Sequence, residues 1–266
     1  MTTDLCKGLG ELTQFAMSVI REVGDEALSF YGKGKSYLKF DDELVTQAEI
    51  HLVDRFEKKI TERFANHQVY RRDQRIDDYS HGEEKFLWVF DAIDGVANFQ
   101  AGIPLWGISI SLFENFWPIF GAFYMPVTGD LFHAVGGDKA YLDKKVISIS
   151  EQERINNESL LFTYSRFHQR FQSSFPGKIR NLGCTAAHIC YVAMGCAEAA
   201  VVANESYQDL SAVQVIIEAA GGKIFHMDGS EFYLNDHLNS GRIDIPLIIV
   251  SPDNRAEILD YIKEIC

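Results

Sequence analysis

Residues 88–104 read WVFDAIDGVANFQAGIP. An apolar run ends in Asp91, and a second carboxylate, Asp94, follows three places on with Gly95 directly behind it. Aspartate and glycine together mark a turn. The run before Asp91 is apolar on both sides, so this carboxylate starts from a buried place and must be paired or bind a metal. The residues after Gly95 can begin a helical turn, whose unsatisfied N–H groups favour an anion. A later stretch, YQDLSAVQVIIEAAGG at 207–222, sets Asp209 at the start of an apolar helix. There it is either a cap or a third carboxylate facing the first two. Hard oxygen ligands beside a helix start suit Mg²⁺ together with a phosphate group.

Composition narrows the field. The chain has 266 residues, a formal net charge of −13 and 47% hydrophobic residues, enough for a sizeable core. With no basic stripe, nucleic acid is not an expected partner. No apolar run reaches the roughly 20 residues of a membrane span, and MTTDLCKGLGELTQF has no signal-peptide pattern. The expected compartment is the cytoplasm. The five cysteines include no CxxC pair, which argues against a zinc site or a disulfide framework. Cys184, Cys190 and Cys196 fall at six-residue intervals on one expected helix, as small buried hydrophobes.

The periodicity predicts helices over 8–32 and 42–66. Between 67 and about 148, short aromatic and β-branched runs (HQVY, KFLWVF, LWGISISLF, PIFGAFYM, DLFHAV, KAYLD) alternate with turn signals. They predict an antiparallel sheet packed on the two helices. Beyond it strands and helices alternate, with helices from Cys184, over 207–219 and over 252–264. The expected fold is α/β, a layered αβαβα sandwich. Residues 1–150 would carry the N-terminal helices and the antiparallel sheet, and 151–266 an α/β lobe.

These stretches resemble the signatures of the inositol monophosphatase family. WVFDAIDGVANFQAGIP is similar to its W-V-I-D-P-I-D-G-T-T-N-F motif, and YQDLSAVQVIIEAAGG to its W-D-x-A-A…E-A-G-G motif. GCTAAHIC (183–190) and ELVTQAE (43–49) resemble two further segments, in the same order along the chain. The resemblance implies the sandwich shared with fructose-1,6-bisphosphatases, a homodimer, a small phosphorylated metabolite as substrate and Mg²⁺ or Mn²⁺ as cofactor. It makes Asp91, Asp94, Asp209 and the Ile93 carbonyl the metal ligands, and the amides of Gly95 and Val96 the phosphate cradle. Arg72, Thr185 and Gln208 would border the substrate.

The sequence also departs from the family pattern. Where the family has a metal-binding, water-orienting glutamate, this chain has Arg72, with Asp73 next to it. The GEE at 82–84 stands too close to the strand to replace it. Val96 stands where a threonine hydroxyl helps activate the water, and valine has none. Gln208 replaces a tryptophan, and Val202 replaces the glutamate of inositol-specific members. Two functions follow. One is a metal-dependent phosphomonoesterase with altered substrate and weakened water activation, in which Asp91 and Asp73 are catalytic. The other is a phosphate-ligand binding or regulatory protein that kept the fold and lost turnover.

Overall fold

The structure is a computed structural model that describes residues 2–33, 42–71, 86–150, 155–238 and 242–265. Apolar residues at helical spacing fold the N-terminal part into α1 (Thr2–Ala27) and α2 (Asp42–Arg63). Val19, Ile20 and Val23 of the first and Leu52, Phe56 and Ile60 of the second are fully or almost fully buried. Arg55 joins the two helices by ion pairs to Glu22 (3.0 Å) and Glu26 (2.8 Å). These pairs are partly exposed, so each adds less than about 1 kcal/mol. The burial of the apolar faces holds the pair in place.

A seven-stranded sheet follows, its strands adjacent in chain order: β1 (Gln68–Val69), β2 (Phe86–Asp94), β3 (Gly107–Glu114), β4 (Trp117–Met125), β5 (Asp130–Val135), β6 (Ala140–Leu142) and β7 (Lys145–Ile147). All neighbours are antiparallel except β1 with β2. A short helix, α3 (Val96–Ala101), lies between β2 and β3. Strand alternation sends Trp88 and Phe90 toward α1 and α2, and Leu87 and Val89 to the opposite face. Both faces are therefore covered, and for this reason β2 and β3 read as near-continuous apolar runs.

The second sheet has the order β10-β8-β11-β13-β12, built from β8 (Leu160–Thr163), β10 (Lys178–Arg180), β11 (Ala199–Val202), β12 (Lys223–His226) and β13 (Leu247–Val250). Its strands alternate in the same way. Ala200, Val202, Leu247 and Ile249 face the first sheet, and Ala199, Val201, Ile248 and Val250 face outward. Between the sheets lie α5 (Thr185–Ala193) and α6 (Tyr207–Ala219). The outer face of the second sheet carries α4 (Phe167–Arg170) and α7 (Arg255–Asp260). The result is the expected five-layer αβαβα sandwich.

The close fit of α6 on the first sheet depends on Gly121. A Cβ there would sit 2.2 Å from the Ala212 carbonyl oxygen. Gly121→Ala is expected to destabilise the protein by about 3 kcal/mol, because rigid backbone, not a flexible side chain, must give way. Urea unfolding reads this directly, and a loss below about 0.5 kcal/mol would mean that α6 can slide on the sheet.

Two expectations need correction. The last helix is not continuous over 252–264. It stops at Asp260, and Ile262–Glu264 form β14, antiparallel to β9 (Phe171–Ser173). Burying Ile262 in that pair outweighs the helical spacing of the segment. Nor do three cysteines share a helix. Cys184 precedes α5, Cys190 lies within it, and Cys196 lies beyond its end and is exposed. Among the described residues, no helix is long and apolar enough to cross a membrane.

Candidate phosphate site at three helix starts

The site begins with a fault in the β2–β3 ladder. Pairing is regular down to Asp91 opposite Ser109, then resumes at Asp94 opposite Gly107. Ala92 and Ile93 thus face the single residue Ile108, which is a β-bulge. It turns the strand end so that the Asp94 side chain reaches α5. Gly95 follows with φ 86°, in the left-handed region, and an added Cβ would meet Cys184 Cβ and the Leu105 oxygen at 3.0 Å. Glycine alone fits there. Asn98 secures the turn, its Nδ2 donating to the carbonyls of Leu105 (2.6 Å) and Leu182 (2.7 Å).

Asp94 lies at the N-terminus of α5. Its carboxylate accepts the N–H of Thr185 at 3.2 Å, the N–H of Ala186, and the Cys184 thiol at 3.4 Å. Burial pushes its pKa up to about 6 in spite of these donors, and the charge of Asp209 pushes the same way. Asp209 sits in the first turn of α6 in a capping box. The Ser206 N–H donates to its carboxylate (2.6 Å), and its own N–H donates to Ser206 Oγ (3.3 Å). Arg242 reaches the same carboxylate at 3.3 Å while donating to the Asn204 carbonyl at 2.8 Å. The starts of α3, α5 and α6 therefore gather around Asp94 and Asp209. Each helix start carries a partial positive charge.

Sequence reasoning missed Glu205. It lies just ahead of α6, is buried, and accepts the Thr185 hydroxyl at 2.9 Å. Burial, then the charges of Asp209 and Asp94, raise its pKa well above the carboxylate range. The available signal was an acidic residue inside the otherwise small and apolar stretch AAVVANES, where attention went to Val202. Thr185 and Glu205 line a cavity of about 540 Å³, together with Arg166, Asn181 and His188. His188 is buried, lies flat on Phe162 and accepts the Leu182 N–H at Nε2 (2.8 Å). Burial pulls its pKa down to about 4, so the ring is neutral and carries its proton on Nδ1.

Asp91 lines a different recess of about 380 Å³, with Glu49, Glu57, Arg71 and Gln208. Gln208, placed on the substrate by the sequence, donates from Nε2 to the Phe90 carbonyl at 2.9 Å and so ties α6 to β2. Val202 is fully buried in the core between the sheets. Val96 is half-buried at the first position of α3. Trp88 donates to His67 Nδ1 at 3.0 Å. Arg72, Asp73 and the GEE at 82–84 lie outside the described residues.

Among the described residues, no group of three or more His, Cys, Asp or Glu side chains is placed to hold a metal ion. Asp91, Asp94 and Asp209 therefore do not make a cage on their own. The donors around Asp94 are carboxylates, the chemistry of a hard divalent cation, but they amount to only part of a coordination shell. A model of the inositol monophosphatase family matches residues 9–246. The chain belongs to this family. Among its relatives, a histidinol-phosphatase of Chlorobaculum parvum is 27% identical over 228 residues, covering 82% of this chain and 86% of that protein. An inositol monophosphatase of Dictyostelium discoideum is 26% identical over 239 residues, covering 84% and 87%. Of the solved structures, inositol monophosphatase II of Staphylococcus aureus superposes with a TM-score of 0.77 at 22% identity, covering 94% of this chain and 93% of that one. That likeness bears on the fold.

Proposed function

We propose that this member of the family hydrolyses a small phosphate monoester with the help of Mg²⁺ or Mn²⁺, that its substrate is not an inositol phosphate, and that its water-activating apparatus is weakened. The observation that carries the reading is the meeting of three helix starts at Asp94 and Asp209. The backbone amides at the head of α3 suit the oxygens of an anion, and Gly95 lets the chain come close. The Asp94 carboxylate pushed upward in pKa beside them lacks a neutralising charge, which suits a cation. A divalent cation there would neutralise the ester and polarise its phosphorus–oxygen bond. Asp94 and Asp209 would hold it, with Asp91 and the Ile93 carbonyl as the further ligands that the family motif implies.

The substrate side supports a departure from inositol. Val202 is sealed in the core, so no side chain reaches a sugar hydroxyl from that position. The activities of the relatives, histidinol-phosphatase among them, widen the candidate esters to amino-alcohol and sugar phosphates. The reading includes a homodimer in the cytoplasm.

A panel of phosphomonoesters assayed with Mg²⁺, with Mn²⁺ and with EDTA provides the test. Slow hydrolysis that EDTA abolishes and added metal restores is expected, with inositol monophosphate a poor substrate. Inositol monophosphate turned over as fast as the best ester would sink the substrate claim. The second reading, a phosphate-binding protein without turnover, draws on Val96, which puts a methyl group where water activation calls for a hydroxyl. Phosphate binding without hydrolysis of any ester in the panel would establish it.

A further inference from the structure

We propose that Glu205 makes the 540 Å³ cavity a subsite for an ammonium group, so that the preferred esters are phosphates of amino alcohols. The inference rests on the phosphatase reading and names its substrate class. Glu205 is 8% exposed. One of its oxygens takes the Thr185 hydroxyl. Among the described residues the other accepts no hydrogen bond and is not fully enclosed. Glu205 lines the cavity, so this oxygen is the one left for a ligand there.

A buried carboxylate calls for a partner charge, and the neighbouring groups supply it only in part, Arg242 acting on Glu205 through space without bonding it. Arg242 is committed to the Asn204 carbonyl and to Asp209. His188 is neutral, with its Nε2 accepting from Leu182. Arg166 lies exposed on the cavity wall and forms no ion pair with Glu205. A hydroxyl from a ligand would give Glu205 one hydrogen bond and leave its carboxyl holding the proton that burial favours, with no ion pair formed. An ammonium supplies both the charge and three donors, enough for the open Glu205 oxygen and for Thr185 Oγ1. Thr185 also gives its N–H to Asp94, so the ammonium subsite adjoins the phosphate site directly.

Glucosamine 6-phosphate and glucose 6-phosphate make a matched pair, differing by an ammonium against a hydroxyl. The wild type is expected to favour the amine ester in kcat/KM by about tenfold or more, the size of one charge-assisted hydrogen bond. Glu205→Gln should cut the amine ester by about the same factor and change the glucose ester less than about threefold. Glu205→Asp should keep part of the preference. Calorimetric binding of the same pair separates the two claims. Tighter binding of the amine ester without turnover of either sinks the phosphatase reading and leaves the subsite standing. Hydrolysis without preference, or a Glu205→Gln variant that loses both esters equally, sinks the subsite and leaves the phosphatase reading standing. If Glu205→Gln fails to fold, the wild-type preference alone decides.

Discussion

Asp94→Asn is expected to lower hydrolysis of the best ester by about a thousandfold. Asp94 joins the head of α3 to the N-terminus of α5 and faces Asp209. Its removal takes one charge from a low-dielectric site, where a single electrostatic element is typically worth about 10²–10³ in rate. The fold should survive, because the amide oxygen still accepts one of the two α5 N–H groups. A second readout identifies the cause. The Asp94 carboxyl is raised from 3.8 to about 6. The folded protein therefore holds this proton more tightly than the unfolded chain does. Its stabilising effect is complete below about pH 3.8 and is lost as pH rises through about 6. In metal-free buffer the wild type should lose about 2–3 kcal/mol across that window, and Asp94→Asn should show a flatter profile in urea unfolding. Activity within fivefold of wild type, or an unchanged pH profile, overturns the assignment.

The double change Val96→Thr with Arg72→Glu is expected to raise kcat by at least about a hundredfold. General base assistance is worth about 10²–10⁴. The threonine hydroxyl needs a carboxylate to take its proton on, so neither change alone restores the pair, and the gain should exceed the product of the single effects. Val96 is half-buried at the start of α3. Threonine matches its shape there, at a modest cost for the added hydroxyl. A wild type already turning over at about 1–10³ s⁻¹ would show that the apparatus is not weakened. A folded double variant with no gain would show that more than these two groups has been lost.

Layering could be read from the sequence because the short aromatic and β-branched runs in 86–147, separated by turn residues, are too apolar to stay uncovered. The order of the elements carried the rest. What could not be read arises from contacts between distant segments. The end of α7 is set by β9, some ninety positions earlier, and local spacing carries no trace of that pairing. Gln208 looked like a ligand contact, yet it clamps a carbonyl of β2. Glu205 was passed over because only the approach of Thr185 makes it part of a cavity. The aspartates were legible as residues. Their partners were not, since the bulge that aims Asp94 is a matter of register.

The placement of α5 and α6 between the sheets also bears on how the chain is made. Hydrogen bonds framing the site join residues 84, 91 and 118 positions apart. When a ribosome has completed the first sheet at Ile147, the apolar face bearing Leu87, Val89 and Phe123 still awaits the helix that ends at Ala219. At roughly 5–20 residues per second, that face stays bare for several seconds. A nascent chain with a finished sheet and no cover is the kind of species that chaperones bind and that aggregates at high expression. Because two of the three helix starts that frame the phosphate site come from those same late helices, the site is complete only once that face is covered.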